Sequence, residues 1–141
     1  MKQKKILSII LGMTALMAFS FLGCNPNNKA VPKYTEFMMH IDSIQHPSSL
    51  PLGQNLNIKF YGVIGPDGCY TFSRFSPSMQ DRNINIIAYG KHSDATSCDM
   101  AISYLEGATL TVNQLDTGRY IIHVSQPNPP DIYDTVYVQM P

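Results

Sequence analysis

The chain has 141 residues, and its ten Lys and Arg balance ten Asp and Glu, so the formal net charge is zero. A chain without a basic excess is a poor candidate for nucleic-acid binding, which depends on clustered Lys and Arg. The sequence also has no G-x-S-x-G, no Gly-rich phosphate loop and no metal-ligand spacing among its four His. We therefore expect neither an enzyme nor a cofactor, and we assign no catalytic residue and no metal ligand.

Residues 1–23 have the pattern of an export signal. Lys2, Lys4 and Lys5 precede the uncharged segment 6–22, which matches the basic and apolar regions of such a signal. A membrane-spanning helix is the alternative, because this segment has about the minimum length, roughly 17 residues, that can cross a bilayer.

The segment Phe21-Leu22-Gly23-Cys24 resembles the lipobox of bacterial lipoproteins. In that family the signal is cut before the cysteine, which becomes the acylated first residue of the mature chain. Gly23 and Cys24 match this pattern, whereas Phe21 and Leu22 depart from the usual leucine and small residue. The resemblance implies that Cys24 is the lipidation site and that the lipid anchors the protein to a membrane. An uncleaved anchor and ordinary secretion are the alternatives.

The residues after Cys24 bear on the location and on the start of the domain. Asn25 in place of aspartate implies, by the same resemblance, the outer membrane, and the lack of a following acidic cluster implies its periplasmic face. Residues 24–35 are rich in Asn and Pro and are predicted to be the lipidated cysteine and a flexible tether. Residues 36–141 are long enough to form one domain with its own core.

Apolar and polar residues alternate with a period of two through most of this domain. The clearest alternating segments are NLNIKFYGVIG at 55–65, NINIIAYG at 83–90, RYIIHVS at 119–125 and DTVYVQM at 134–140. Such alternation is typical of strands with one buried face. Turn-forming segments separate the alternating runs, so the pattern predicts an all-β fold, an antiparallel β-sandwich of about seven strands.

Cys69 and Cys98 are the two cysteines that remain if Cys24 is acylated. In an oxidising compartment an even pair predicts a disulfide bond, here between the end of a sheet and a polar loop. The alternative is a reactive or metal-binding thiol pair, but neither cysteine lies in a C-x-x-C motif.

The segment Leu110-Thr111-Val112, followed by residues 115–122, resembles the strand E, turn and strand F of immunoglobulin-like domains. In that family a tyrosine forms a corner, and its hydroxyl bonds to the backbone just upstream. Tyr120 occupies this position. Ile122 stands where antibody-type domains have a core cysteine, and the chain has no Trp. The resemblance therefore implies an immunoglobulin-like β-sandwich outside the antibody type, as in small lipoproteins of Gram-negative bacteria.

The segment 126–133 joins the last two predicted strands, where immunoglobulin-like domains keep a recognition loop. Prolines lower the entropy cost of holding one loop shape, and tyrosine is a favoured interface anchor. The candidate binding residues are Pro127, Asn128, Pro129, Pro130 and Tyr133. The alternative is that these prolines only prevent edge-to-edge strand pairing.

Together, these patterns predict a lipid-anchored module of the cell envelope that binds a protein or a glycan without catalysis. The first alternative is a structural subunit or spacer of an envelope assembly. The second is an inhibitor of periplasmic proteases.

Overall fold

The computed structural model describes residues 33–140; the predicted export signal, Cys24 and most of the predicted tether lie outside this range. Within it the chain has nine β-strands and no helix, and hence no helix long and apolar enough to cross a membrane. The strands are β1 (Tyr34–Met38), β2 (Ser43–Gln45), β3 (Ser49–Pro51), β4 (Leu56–Gly65), β5 (Tyr70–Gln80), β6 (Asn83–Ser93), β7 (Ser103–Val112), β8 (Gly118–Val124) and β9 (Ile132–Gln139).

The strands form two sheets. The larger sheet has the order β1-β6-β8-β9-β3, with β5 also paired to β6, and the smaller sheet has the order β2-β4-β7. The prediction of an all-β fold is confirmed, and the two sheets are consistent with a β-sandwich. The strand number exceeds the expected seven because β2 and β3 have only three residues each, too few to show alternation in the sequence.

The larger sheet is mixed, so the prediction of a wholly antiparallel sandwich is wrong for this sheet. Strand β8 runs parallel to β6, and β3 runs parallel to β9. The path of the chain between the two sheets explains the first pair. After β6 the chain crosses to β7 in the smaller sheet, and it returns to place β8 beside β6 in the same direction, as parallel pairs require.

The core lies between the inward faces of the two sheets. Strand β4 shows how the sequence builds it, since Leu56, Ile58 and Phe60 are fully buried while Asn57 and Lys59 between them are exposed. This alternation follows from the pleat of a strand, which turns successive side chains to opposite faces. The other core strands contribute Ile84, Ile86, Ala88, Leu105, Tyr120, Ile122, Val124, Val136 and Val138.

Strand β6 has two different neighbours along one of its sides. Its first half pairs with β8 and its second half with β1. The change occurs in the middle of β6, where Ser125 donates to the carbonyl of Ile86 and Met39 donates to that of Ala88. The loop after β8 therefore leaves the sheet partway along β6, beside the point where β1 ends.

Candidate binding site

The loop between β8 and β9, residues 125–131, is fastened to the domain at its start. The side chain of Gln126 is buried, although it is polar. Its Oε1 accepts from the N–H of Ile41 at 2.9 Å, and its Nε2 donates to the Ile41 carbonyl at 2.9 Å. Hydrogen bonds at both ends of the buried amide offset the cost of removing it from water, and they fix the loop to the segment that joins β1 to β2.

Asp131 closes the same loop at its other end. One carboxylate oxygen accepts from the backbone N–H of Gln126 at 2.9 Å, and the other lies 2.7 Å from Nε2 of His123. The hydrogen bond with His123 and then that from Gln126 lower the pKa of Asp131, because both favour the charged carboxylate. The two ends of the loop are thus tied to one carboxylate.

His123 links three neighbouring strands on the outer face of the larger sheet. The register places it opposite Tyr133 on β9 and beside Asn85 on β6. Its Nδ1 lies 3.0 Å from Oδ1 of Asn85, and its Nε2 contacts Asp131. Because both ring nitrogens are engaged, the orientation of the imidazole is fixed.

Tyr133 stacks flat on this fixed imidazole. The ring centroids are 4.5 Å apart and the planes differ by 4°, while 66% of Tyr133 remains exposed. We call Tyr133, His123, Asn85 and Asp131 the aromatic platform. It offers a partner a rigid aromatic face with polar groups beside it.

The prolines of the loop lie next to the platform and are exposed, as are Asn128 and Tyr133. The bond between Pro129 and Pro130 is cis. Tyr133 itself is not part of the loop, because it is the second residue of β9. The structure therefore presents the candidate residues as an exposed proline segment followed by an aromatic ring mounted on a strand.

The His123–Asp131 pair resembles part of a catalytic triad, but its surroundings do not supply the remaining part. A catalytic histidine uses one nitrogen for its carboxylate and the other for a nucleophile. The second nitrogen of His123 faces the amide of Asn85, which is not a nucleophile. In this geometry both ring nitrogens of His123 are occupied, one by Asn85 and the other by Asp131.

The other two predicted site features lie away from the platform. Tyr120 is buried in the core, and its hydroxyl accepts from the N–H of Asp116 at 3.0 Å. Cys69 and Cys98 form a disulfide bond with a Cα–Cα distance of 5.3 Å, as predicted. Asp67 lies beside this bond, but both sulfurs are already joined, so the group lacks thiolate ligands for a metal ion.

Sequence reasoning missed Asn85, His123 and Asp131 as members of a site. Asn85 and Asp131 are 38 and 8 residues from His123 in the chain. The contact of His123 with Asn85 depends on the parallel pairing of β6 with β8, whereas that with Asp131 closes the loop between β8 and β9. The alternation in each strand gave a partial signal, since it places Asn85 and His123 on outward faces.

The comparisons with known proteins give no relative. No family model matches the chain, and neither the curated proteins nor the solved structures contain a match.

Proposed function

We propose that the protein is a non-catalytic binding module of the cell envelope. In this proposal the lipid on Cys24 anchors it in the outer membrane, facing the periplasm, and the aromatic platform recognises a protein or a glycan. The observation that carries the proposal is the stacking of Tyr133 on His123, because it leaves a large aromatic ring exposed yet immobile.

Immobility matters because binding normally costs the entropy of ordering side chains at the interface. The Tyr133 ring is held by His123, which Asn85 and Asp131 hold in turn. A ring that is already in place loses little further freedom when a partner covers it. Tyrosine is accordingly enriched among the residues that contribute most to interfaces.

The immunoglobulin-like type of the sandwich belongs to the same proposal. The contact between the Tyr120 hydroxyl and the backbone of Asp116 supports it, since a tyrosine corner has its hydroxyl bonded just upstream. The parallel pair of β6 and β8 is a departure from the usual pattern of that group.

The first prediction concerns Tyr133→Ala. We expect this substitution to weaken partner binding at least about tenfold, or roughly 1.4 kcal/mol, because it removes the exposed ring and leaves the core intact. Ligands are found by site-specific photocrosslinking next to Tyr133 in intact envelopes and by a panel of envelope oligosaccharides. Affinities are then measured with the purified, detergent-solubilised protein.

Tyr137→Ala is the matched control, because Tyr137 is 47% exposed and lies on the same strand, β9, but is not part of the aromatic platform. Equal losses in the two variants, or no loss in Tyr133→Ala, would refute the assignment of the platform. Crosslinking to one stoichiometric protein partner through other surfaces would instead favour a subunit of an envelope assembly.

A further inference from the structure

The described chain enters the domain at one defined end. The N–H of Lys33 donates to Oδ1 of Asp94 at 2.7 Å, and the N–H of Asp94 donates to the carbonyl of Lys33 at 3.1 Å. The next residue, Tyr34, pairs with Ser93, the last residue of β6. We call this end of the sandwich the entry end.

The disulfide bond holds the loop 94–102 at the same end. Cys69 immediately precedes β5, which pairs at its start with the end of β6. Two backbone hydrogen bonds reinforce this arrangement, from Ser93 to the carbonyl of Cys69 and from Gly68 to that of Asp99. The loop is therefore fastened next to the point where the chain enters.

Four apolar side chains are exposed where this loop runs into β7. Met100 is 96% exposed and Ile102 is 51% exposed, and they lead to Tyr104 at 54%. Val63, at 46%, is paired with Tyr104 across the smaller sheet. We call Met100, Ile102, Tyr104 and Val63 the apolar rim.

Exposure alone does not single out this end. The opposite end carries the turn between β5 and β6, and there Met79 and Met140 are 51% and 72% exposed. The ten residues from Tyr70 to Met79 span nine steps along the strand, which places the two ends about 30 Å apart. What distinguishes the apolar rim is its position beside the entry of the chain.

We propose that the apolar rim contacts the lipid bilayer and so orients the domain with its entry end against the membrane. This inference rests on the proposed lipid anchor at Cys24. Cys24 precedes Lys33 by nine residues (33 − 24), which span at most about 30 Å when fully extended. Placing the opposite end on the lipid instead would lift the entry end about 30 Å away and require a fully extended tether, so the attachment favours contact at the entry end.

The chemistry of the entry end suits apolar rather than electrostatic contact. The charged side chains near it include two cations, Lys33 and Lys91, and four carboxylates, those of Asp67, Asp94, Asp99 and Glu36, which is paired opposite Lys91. There is thus no polybasic attraction to anionic lipid. Methionine and isoleucine gain by leaving water, and tyrosine suits the boundary between headgroups and acyl chains.

The experiment uses the full protein purified from membranes and reconstituted into phosphatidylcholine vesicles that contain a photoactivatable phosphatidylcholine. Peptides labelled by the lipid are quantified by mass spectrometry. We expect the peptide with Met100 to be labelled at least tenfold more than the peptides with Met79 and Met140. In the double variant Met100→Gln/Ile102→Ser, labelling of this segment should fall to the level at Met79.

The same samples separate failure of the inference from failure of the anchor. Intact mass reports whether Cys24 carries acyl chains. An acylated, vesicle-bound protein with equal labelling at Met100 and Met79 overturns the contact and leaves the anchor standing, whereas an unacylated Cys24 overturns both. Replacing part of the phosphatidylcholine by phosphatidylglycerol should change labelling by less than twofold, and a requirement for the anionic lipid would contradict an apolar contact.

Discussion

At the scale of one residue, Gly118 shows why the chain needs a glycine where β8 begins. Its φ of +135° is a conformation that side chains with a Cβ rarely adopt. There is also no room for a side chain, because a Cβ at this position would overlap Nη1 of Arg82. That nitrogen donates to the carbonyl of Thr117 at 2.7 Å, which ties the turn to the end of the β5–β6 hairpin.

We predict that Gly118→Ala lowers the free energy of unfolding by about 1–3 kcal/mol, because it strains the backbone and displaces Arg82. Gly53→Ala is the matched control, since Gly53 has a φ of +85° but nothing within 4 Å of the added carbon. Urea unfolding of both variants separates the two effects. Equal losses of unfolding free energy in the two variants would show that the packing of Arg82 contributes nothing. A Gly118→Ala variant as stable as the wild type would contradict the backbone strain as well.

Single residues differ in how far the sequence alone could place them. The pairing of Cys69 with Cys98 was predictable because no other pair remains once Cys24 is set aside. The contact of His123 with Asn85 was not predictable, because it depends on which strand lies beside β6 and in which direction it runs. Nothing in the alternation of either strand carries that information.

At the scale of elements, the disulfide bond joins the start of β5 to the loop between β6 and β7. Cys69 is buried, whereas Cys98 lies in a segment without regular structure. The bond encloses a loop with a sequence separation of 29 residues. A crosslink over that length stabilises a fold chiefly by restricting the unfolded chain.

We predict that the double substitution Cys69→Ser/Cys98→Ser lowers the free energy of unfolding by about 3.5 kcal/mol, the chain-entropy value for a loop of this length. Denaturant unfolding of the purified protein gives the difference. Wild-type protein unfolded under reducing conditions is the control and should lose a similar amount. A loss below about 0.5 kcal/mol in both would contradict a stabilising role for the bond.

The sequence revealed strands more readily than it revealed their partners. Strands β4, β6 and β8 alternate over most of their length, and β9 alternates in its second half. Burial of one face explains that pattern. The short strand β3 carries no such signal, because it exists through its parallel pairing with β9. Strand direction is likewise a property of the chain path between sheets, which alternation does not record.

At the scale of the whole molecule, the two proposed surfaces are compatible with each other. The apolar rim lies at the entry end, whereas the aromatic platform lies on the outer face of the larger sheet, partway along β6. A domain resting on its entry end would therefore leave Tyr133 uncovered and away from the membrane, because Asn85 precedes Ser93 at the end of β6 by eight residues, about 26 Å of strand. One orientation of the domain serves both lipid contact and recognition.

Acid stability is another property of the whole domain, and two carboxylates are expected to contribute to it. Hydrogen bonds from the Ser73 hydroxyl and then from Arg74 lower the pKa of Glu36, which joins β1 to β5. The bond with His123 and then that from Gln126 lower the pKa of Asp131. Both carboxylates are partly exposed, so solvent and salt weaken each contribution.

The direction of the pH effect follows from these lowered values. The ordinary pKa is about 3.9 for Asp and about 4.3 for Glu, and the folded pKa of each group lies below it. The stabilisation is therefore fully present above about pH 5, and it is lost as the pH falls through the folded pKa values, because the unfolded chain takes up protons first.

We predict that Asp131→Asn and Glu36→Gln each reduce the loss of unfolding free energy between pH 5 and pH 3, and that the double variant reduces it further. Urea unfolding at both pH values measures this, and a double variant with the pH dependence of the wild type would contradict the assignment of both groups.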